Sequence, residues 1–204
     1  MYCGGHILAS TALAMASSKR LQIDFVKLTS LMIATNLIDF DHLRYFYLDD
    51  GTANSLVLHS LHIYSGVLFF LIFLGGLAFR KFQNWSFALS GGFALHLAGD
   101  AVAYWFDYSI IILGFFDVAL LILIAIMAKK SLPGIPFWNF MAFFIAAEII
   151  STGTQVYLSF VLKLVPEENI IVYVVSPVLF LITAVAFWMI FKKYSQPVFS
   201  DQRN

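Results

Sequence analysis

The sequence predicts an all-α fold: a polytopic membrane helix bundle of about seven transmembrane helices, with the N-terminus out and the C-terminus in. Three observations lead there. The chain is 61% hydrophobic with a mean hydropathy of +0.86, whereas an average soluble domain holds roughly 45–50% apolar residues. Charged residues make up 12% of it, about half the usual share of roughly 25%. Apolar stretches close to the ~20 residues that cross a hydrocarbon core recur along the whole chain.

Segment 1 (3–18) runs from "CGGHILAS" to the basic pair Lys19 and Arg20. Segment 2 (25–40) carries Lys27 near its start, which leaves 28–38 as its uncharged part. These two segments are short, so a thin or re-entrant hairpin is the alternative to two full spans. Segment 3 (57–79) ends at Arg80 and Lys81, and segment 4 (85–106) at Asp107. Segment 5 (108–128) ends at Lys129 and Lys130. "SLPGIP" (131–136) and "LVPEEN" (164–169) are breakers on either side of segment 6 (137–162), and segment 7 covers 169–191. Trp85, Trp105 and Trp138 fall at segment ends, where amphipathic rings prefer the interface. No repeat, low-complexity stretch or composition break divides the chain, so residues 1–204 are read as a single integral membrane domain. Most of its polar side chains fall in 1–106, and 107–204 supplies supporting helices.

Loop charge sets the orientation. Lys19, Arg20, Lys27, Arg80, Lys81, Lys129, Lys130, Lys192, Lys193 and Arg203 lie in alternate connections, hence on one side. The other side has only Arg44 and Lys163, among Asp49, Asp50, Asp107, Glu167 and Glu168. The positive-inside rule makes the first side cytoplasmic. A net charge of zero gives no electrostatic case for nucleic acid. The single Cys3 excludes an internal disulfide. Basic residues follow the first apolar segment instead of preceding it, so a cleavable signal peptide is not expected.

With this topology the polar residues converge. His6 starts segment 1, and Asp39, Asp41 and His42 end segment 2. His59 and His62 begin segment 3, while His96 and Asp100 sit in the outer half of segment 4. All five histidines and three aspartates therefore fall toward the non-cytoplasmic face. Asp39 and His42 are three apart, as are His59 and His62, and His96 and Asp100 are four apart; on a helix each pair shares a face. Imidazole with carboxylate suits a divalent transition metal, zinc first among them. Eight such donors allow two ions, or one ion with an outer shell of partners. A carboxylate inside a membrane segment is costly, and a functional role is the default reading. Asp117 in "GFFDVAL" and Glu148 in "AAEIISTGTQ" lie deeper, near the middles of segments 5 and 6. Each is either hydrogen-bonded to Ser151, Thr152 or Gln155, or functional; Glu148 and His62 are the candidate proton carriers.

The motifs "GGHILAS", "LIDFDHL", "LHSLHIY" and "LHLAGD" together resemble the bacterial inner-membrane metal-dependent hydrolase family (LexA-binding, inner-membrane-associated hydrolases). The family carries an N-terminal histidine, then "LPDIDH", "HRxxTHS" and "HLxxD" in that order, and the match covers about residues 5–106. The resemblance implies a multi-pass protein of the bacterial inner membrane with His6, Asp39, Asp41, His42, His59, His96 and Asp100 as metal ligands. Ile38 stands where the family has proline, and Asn54 and Leu58 where it has the first histidine and the threonine of "HRxxTHS". His62 has no counterpart there and lies one turn beyond the matched histidine.

The leading expectation is a membrane-embedded metal-dependent hydrolase whose site, at the non-cytoplasmic membrane face, takes a lipid or polyprenyl phosphoester. A metal-binding transporter or an assembly subunit without catalysis is the non-enzyme alternative. A di-iron membrane oxygenase ranks lower, because "HSLH" is the only close histidine pair and such boxes are expected on the cytoplasmic side. The sequence leaves the oligomeric state open.

Overall fold

A computed structural model describes residues 3–38, 55–106, 109–132, 134–158 and 170–195. Its seven α-helices are α1 (Cys3–Leu21), α2 (Phe25–Ala34), α3 (Ser55–Ala78), α4 (Gln83–Trp105), α5 (Ile110–Ser131), α6 (Phe137–Val156) and α7 (Ile170–Phe191). Each expected segment overlaps one of them, the ends of segments 2 and 6 (39–40 and 159–162) lying outside the described residues, and no strand occurs among the described residues. Single 3-10 turns follow α3 at Arg80–Phe82 and α7 at Lys192–Tyr194, and α2 continues as one through residues 35–38.

The ends have local causes. After α1 the Ile23 amide donates to the Ser18 carbonyl and the Gln22 amide to that of Lys19, with Gln22 in the left-handed region at φ 53°. This is the hydrogen-bond pattern of a helix stop that turns the chain back. Asp24 then caps α2, its carboxylate accepting from the Lys27 amide at 3.0 Å. Lys129 and Lys130 occupy the last turn of α5, where cations complement the helix dipole. Pro136, which has no N–H to leave unsatisfied, caps the start of α6.

Helix α1 is the hub. It packs on α2, α4, α5, α6 and α7, and Gly4 through Leu8, Ser10, Thr11, Ala12, Ala14 and Met15 are all buried. Its many glycine, alanine and serine residues let neighbouring backbones come close, as small residues do at helix interfaces in membranes. Around it α2, α5, α6 and α7 complete the main core. Phe25, Phe140, Phe143, Phe144, Phe187 and Phe191 interlock there with ring centroids 4.8–6.3 Å apart. These rings account for part of the chain's unusual phenylalanine content.

The outward faces are apolar. Ile111, Phe115, Ile149 and Val118 are more than half exposed. Large apolar side chains exposed in this way suit lipid better than water. Among the described residues two helices can cross a membrane by length and composition, over Ile110–Lys130 and Val174–Tyr194. The pair Gly66–Ala78 and Arg80–Ala103, bent by 120° between them, adds a third if it counts as one broken span. Phe25–Ile38 is apolar but shorter, in line with the expectation that segment 2 is short. Among the described residues the result is an all-helical bundle with two or three candidate spans.

Candidate metal centre

Residues far apart in the chain meet where α1, α2 and α4 converge. His96 and Asp100 lie one helical turn apart on α4 and share a face, as the i,i+4 spacing requires. His6, in the first turns of α1, faces them. Its Nε2 is 3.0 Å from Asp100 Oδ1, and His96 Nε2 is 3.1 Å from Oδ2. The two imidazoles stack with centroids 4.5 Å apart at 25°, and Phe180 of α7 meets the His6 ring edge-on at 6.1 Å. Both rings are buried, while the Asp100 side chain is one third exposed. Asp100 is thus the side from which the cluster is reached.

A chain of hydrogen bonds fixes the orientation of His96. The Asn36 amide nitrogen donates to the Met32 and Ile33 carbonyls at 3.3 and 3.0 Å and approaches Ser10 Oγ at 3.1 Å. Carbonyls only accept, so this end of the amide must be the NH₂ and its Oδ1 must face His96. Oδ1 lies 2.9 Å from His96 Nδ1, which therefore carries a hydrogen and donates. In the neutral ring the Nε2 lone pair then points to the Asp100 side. A second partner that locks the tautomer and aims the other nitrogen is the usual arrangement behind a metal-ligating histidine. Gly92 makes the contact possible: a Cβ there would lie 2.6 Å from Thr35 Oγ1, so α4 rides directly on the end of α2 and brings His96 over Asn36.

His6, His96 and Asp100 form a possible metal-binding triad, with one donor atom from each lying within 4.8 Å of the others. Zinc bonds of about 2.0–2.2 Å put tetrahedral ligands roughly 3.4 Å apart. Seating an ion requires the widest pair to close by up to about 1.4 Å, a movement side-chain rotation supplies. Three protein ligands with one further position open is the catalytic pattern for zinc, whereas structural sites use four.

Of the seven ligands expected from the sequence, these three are brought together. Asp39, Asp41 and His42 lie outside the described residues. His59 and His62 are on α3, in the stretch whose side chains are likewise outside the description. Glu148 stands apart from the triad. Its Oε1 accepts from Thr152 Oγ1 at 2.6 Å, one of the hydrogen bonds expected for it, while Gln155 bonds Ser176 instead. Asn36 and Ser10 were not singled out from the sequence. The available signal was an amide inside an apolar run, three residues before Asp39.

Replacing Asn36 by Ala should weaken metal binding about 10–100-fold, the usual effect of losing such an outer partner. Asn36→Asp, which keeps an acceptor for Nδ1–H, should recover part of that loss. Competition with a fluorescent zinc chelator measures both; equal affinity in all three proteins would remove Asn36 from the site.

Comparison with known proteins found no matching family model, no matching curated protein and no matching solved structure.

Proposed function

We propose that the protein is a membrane-embedded metal-dependent hydrolase acting on a lipid or polyprenyl phosphoester at the non-cytoplasmic face. In this reading the bundle is multi-pass, with N-terminus out and C-terminus in, and it resides in a bacterial inner membrane. The observation that carries the reading is the triad: two helices distant in sequence bring His6, His96 and Asp100 together, with the His96 tautomer held by Asn36. The resemblance of residues 5–106 to the hydrolase family adds Asp39, Asp41, His42 and His59 as further ligands, enough for one or two zinc ions. An open apolar cleft of about 340 Å³, lined by Leu31, Ala34, Thr35, Leu37, Ile38, Phe69 and Leu89, adjoins the turn that bears Asn36. Its size and lining suit an acyl or prenyl chain.

The metal, when bound, would polarise a phosphoryl oxygen and lower the pKa of a coordinated water. The protein's own residues do the rest. His6, His96 and Asp100 hold the ion, and Ser10 and Asn36 keep His96 aimed. Phe180 and the stacked rings exclude water from the buried side, leaving approach past Asp100. Proton transfer to the leaving group falls to His62 or Glu148; the engagement of Glu148 with Thr152 favours His62.

The test is phosphoester hydrolysis by purified protein in lipid nanodiscs, offered phospholipid and polyprenyl diphosphate. Activity should require added zinc, stop with chelator and fall at least 100-fold in His96→Ala. Zinc-loaded protein that releases nothing from either class defeats the proposal. Zinc uptake into liposomes without hydrolysis would put the transporter in its place.

A further inference from the structure

The two helices long and apolar enough to span end in the same way. On α5, Val118, Ile122 and Ile126 follow one another at intervals of four, each about half exposed. The next residue in that row is Lys130, with Lys129 beside it. On α7 the row is Leu181, Val185 and Met189, again each about half exposed or more, and the next residue is Lys193. Residues four apart share a helix face, so each outward apolar strip leads to an ammonium group. Beyond Phe191 the chain tightens into its 3-10 turn, in which residues three apart align, so Lys192 and Lys193 straddle the end of the α7 row. Each row covers about 18 Å of helix up to its lysine, close to the half of a ~30 Å hydrocarbon core that one acyl chain fills.

The charge at these row ends is unanswered. All four lysines are exposed, and no carboxylate among the described residues pairs with any of them. The acid of α5, Asp117, is buried, and the described part of α7 has none. Asp24, at the turn between α1 and α2, is buried too, with its carboxylate on the Lys27 amide. Lys193 Nζ lies 4.9 Å from the centroid of the Tyr194 ring, a contact that orients the ammonium without neutralising it.

Three kinds of neighbour differ in what they satisfy. A soluble anion or an acidic protein answers the lysines but leaves the rows uncovered. A zwitterionic lipid covers the rows but sets its own cation beside two others. A lipid with a net negative headgroup does both, and lysines near an anionic membrane surface are attracted to it. Cations in a last helical turn also complement the helix dipole, but that role asks for no particular lipid.

We propose that Lys129–Lys130 and Lys192–Lys193 are two binding sites for anionic phospholipid, each holding a headgroup phosphate at the lysine pair with an acyl chain laid along the apolar row. The sites need the bundle to lie in a membrane and are independent of the metal centre and of hydrolysis.

Spin-labelled lipids in bilayers containing the full-length protein test this. The wild type should hold phosphatidylglycerol about fivefold more strongly than phosphatidylcholine. Lys129→Gln/Lys130→Gln/Lys192→Gln/Lys193→Gln should abolish the preference. Lys19→Gln/Arg20→Gln removes cations from α1, which exposes no large apolar side chain, and should leave it in place. Equal association of the two lipids with the wild type would overturn the proposal, as would a loss in the α1 variant as large as that in the lysine variant. Should the neutralised protein not insert, photolabelling of the wild type decides the matter, with phosphatidylglycerol and phosphatidylcholine each carrying a diazirine on the acyl chain. Ile145 and Ile149 are exposed on α6, a helix without lysine or arginine. Preferential labelling of 118–126 and 181–189 by phosphatidylglycerol, with Ile145 and Ile149 labelled equally by both lipids, supports the sites; uniform labelling refutes them.

Discussion

Replacing any one of His6, His96 or Asp100 should strip the protein of its metal. Where these three side chains share an ion, removal of one leaves two of them, and affinity for that ion should fall by at least 100-fold, about 2.7 kcal/mol at roughly 1.4 kcal/mol per tenfold. His6→Ala, His96→Ala and Asp100→Asn are the informative variants, with bound metal measured by elemental analysis after dialysis against a weak chelator. The double variant His6→Ala/His96→Ala separates this from simpler explanations. Residues sharing one ion act as a unit, so the double should lose no more metal than either single. Two independent weak sites would instead lose metal in portions. Gel filtration and helical circular dichroism distinguish loss of metal from loss of fold. Metal content equal to wild type in all four proteins would reduce the triad to a hydrogen-bonded cluster.

How much of this the sequence disclosed depends on the kind of interaction. The seven helices were legible because each is a long apolar run ended by charge, proline or glycine, and local composition decides such boundaries. The pairing of His96 with Asp100 was legible for the same reason: a four-residue spacing fixes a shared face without any knowledge of neighbours. His6 was placed beside them by topology alone, through the alternation of charged connections. What the sequence could not supply was which helix faces meet. The central position of α1 follows from its small residues lying against five partners, and no single-helix periodicity reports that. Asn36 escaped notice because an amide in an apolar helix becomes informative only when Ser10 and His96, each on another helix, are seen to meet it. Asp117 and Glu148 stand out in the sequence as acids in apolar runs, but the notch at Gly4 that receives the Glu148 carboxyl joins α1 to α6 and leaves no trace in the spacing. The number of spans is a different matter. Apolar length sets an upper bound, and the burial of α1 with the shortness of α2 shows why apolar length and spanning are not the same property.

The interlocked phenylalanines should dominate stability. Phe187 is fully buried, with ring centroids 4.8 Å from Phe191, 5.5 Å from Phe143 and Phe144, and 6.1 Å from Phe25. In a water-soluble protein Phe→Ala at such a position costs about 3–5 kcal/mol, from lost transfer free energy together with the cavity left behind. In lipid the transfer part largely disappears, because a separated helix would expose the ring to hydrocarbon and not to water. The cavity and the lost dispersion contacts remain, so Phe187→Ala should destabilise by about 2–4 kcal/mol. Phe115 supplies the contrast. It is the same residue type on α5 but 72% exposed, and with lipid replacing its contacts Phe115→Ala should change stability by less than about 0.5 kcal/mol. Unfolding in mixed micelles of increasing detergent denaturant measures both on one scale. Equal losses would mean that the outer face of α5 is packed against protein and not lipid, and the assignment of Ile110–Lys130 as a span would have to be replaced by an interface.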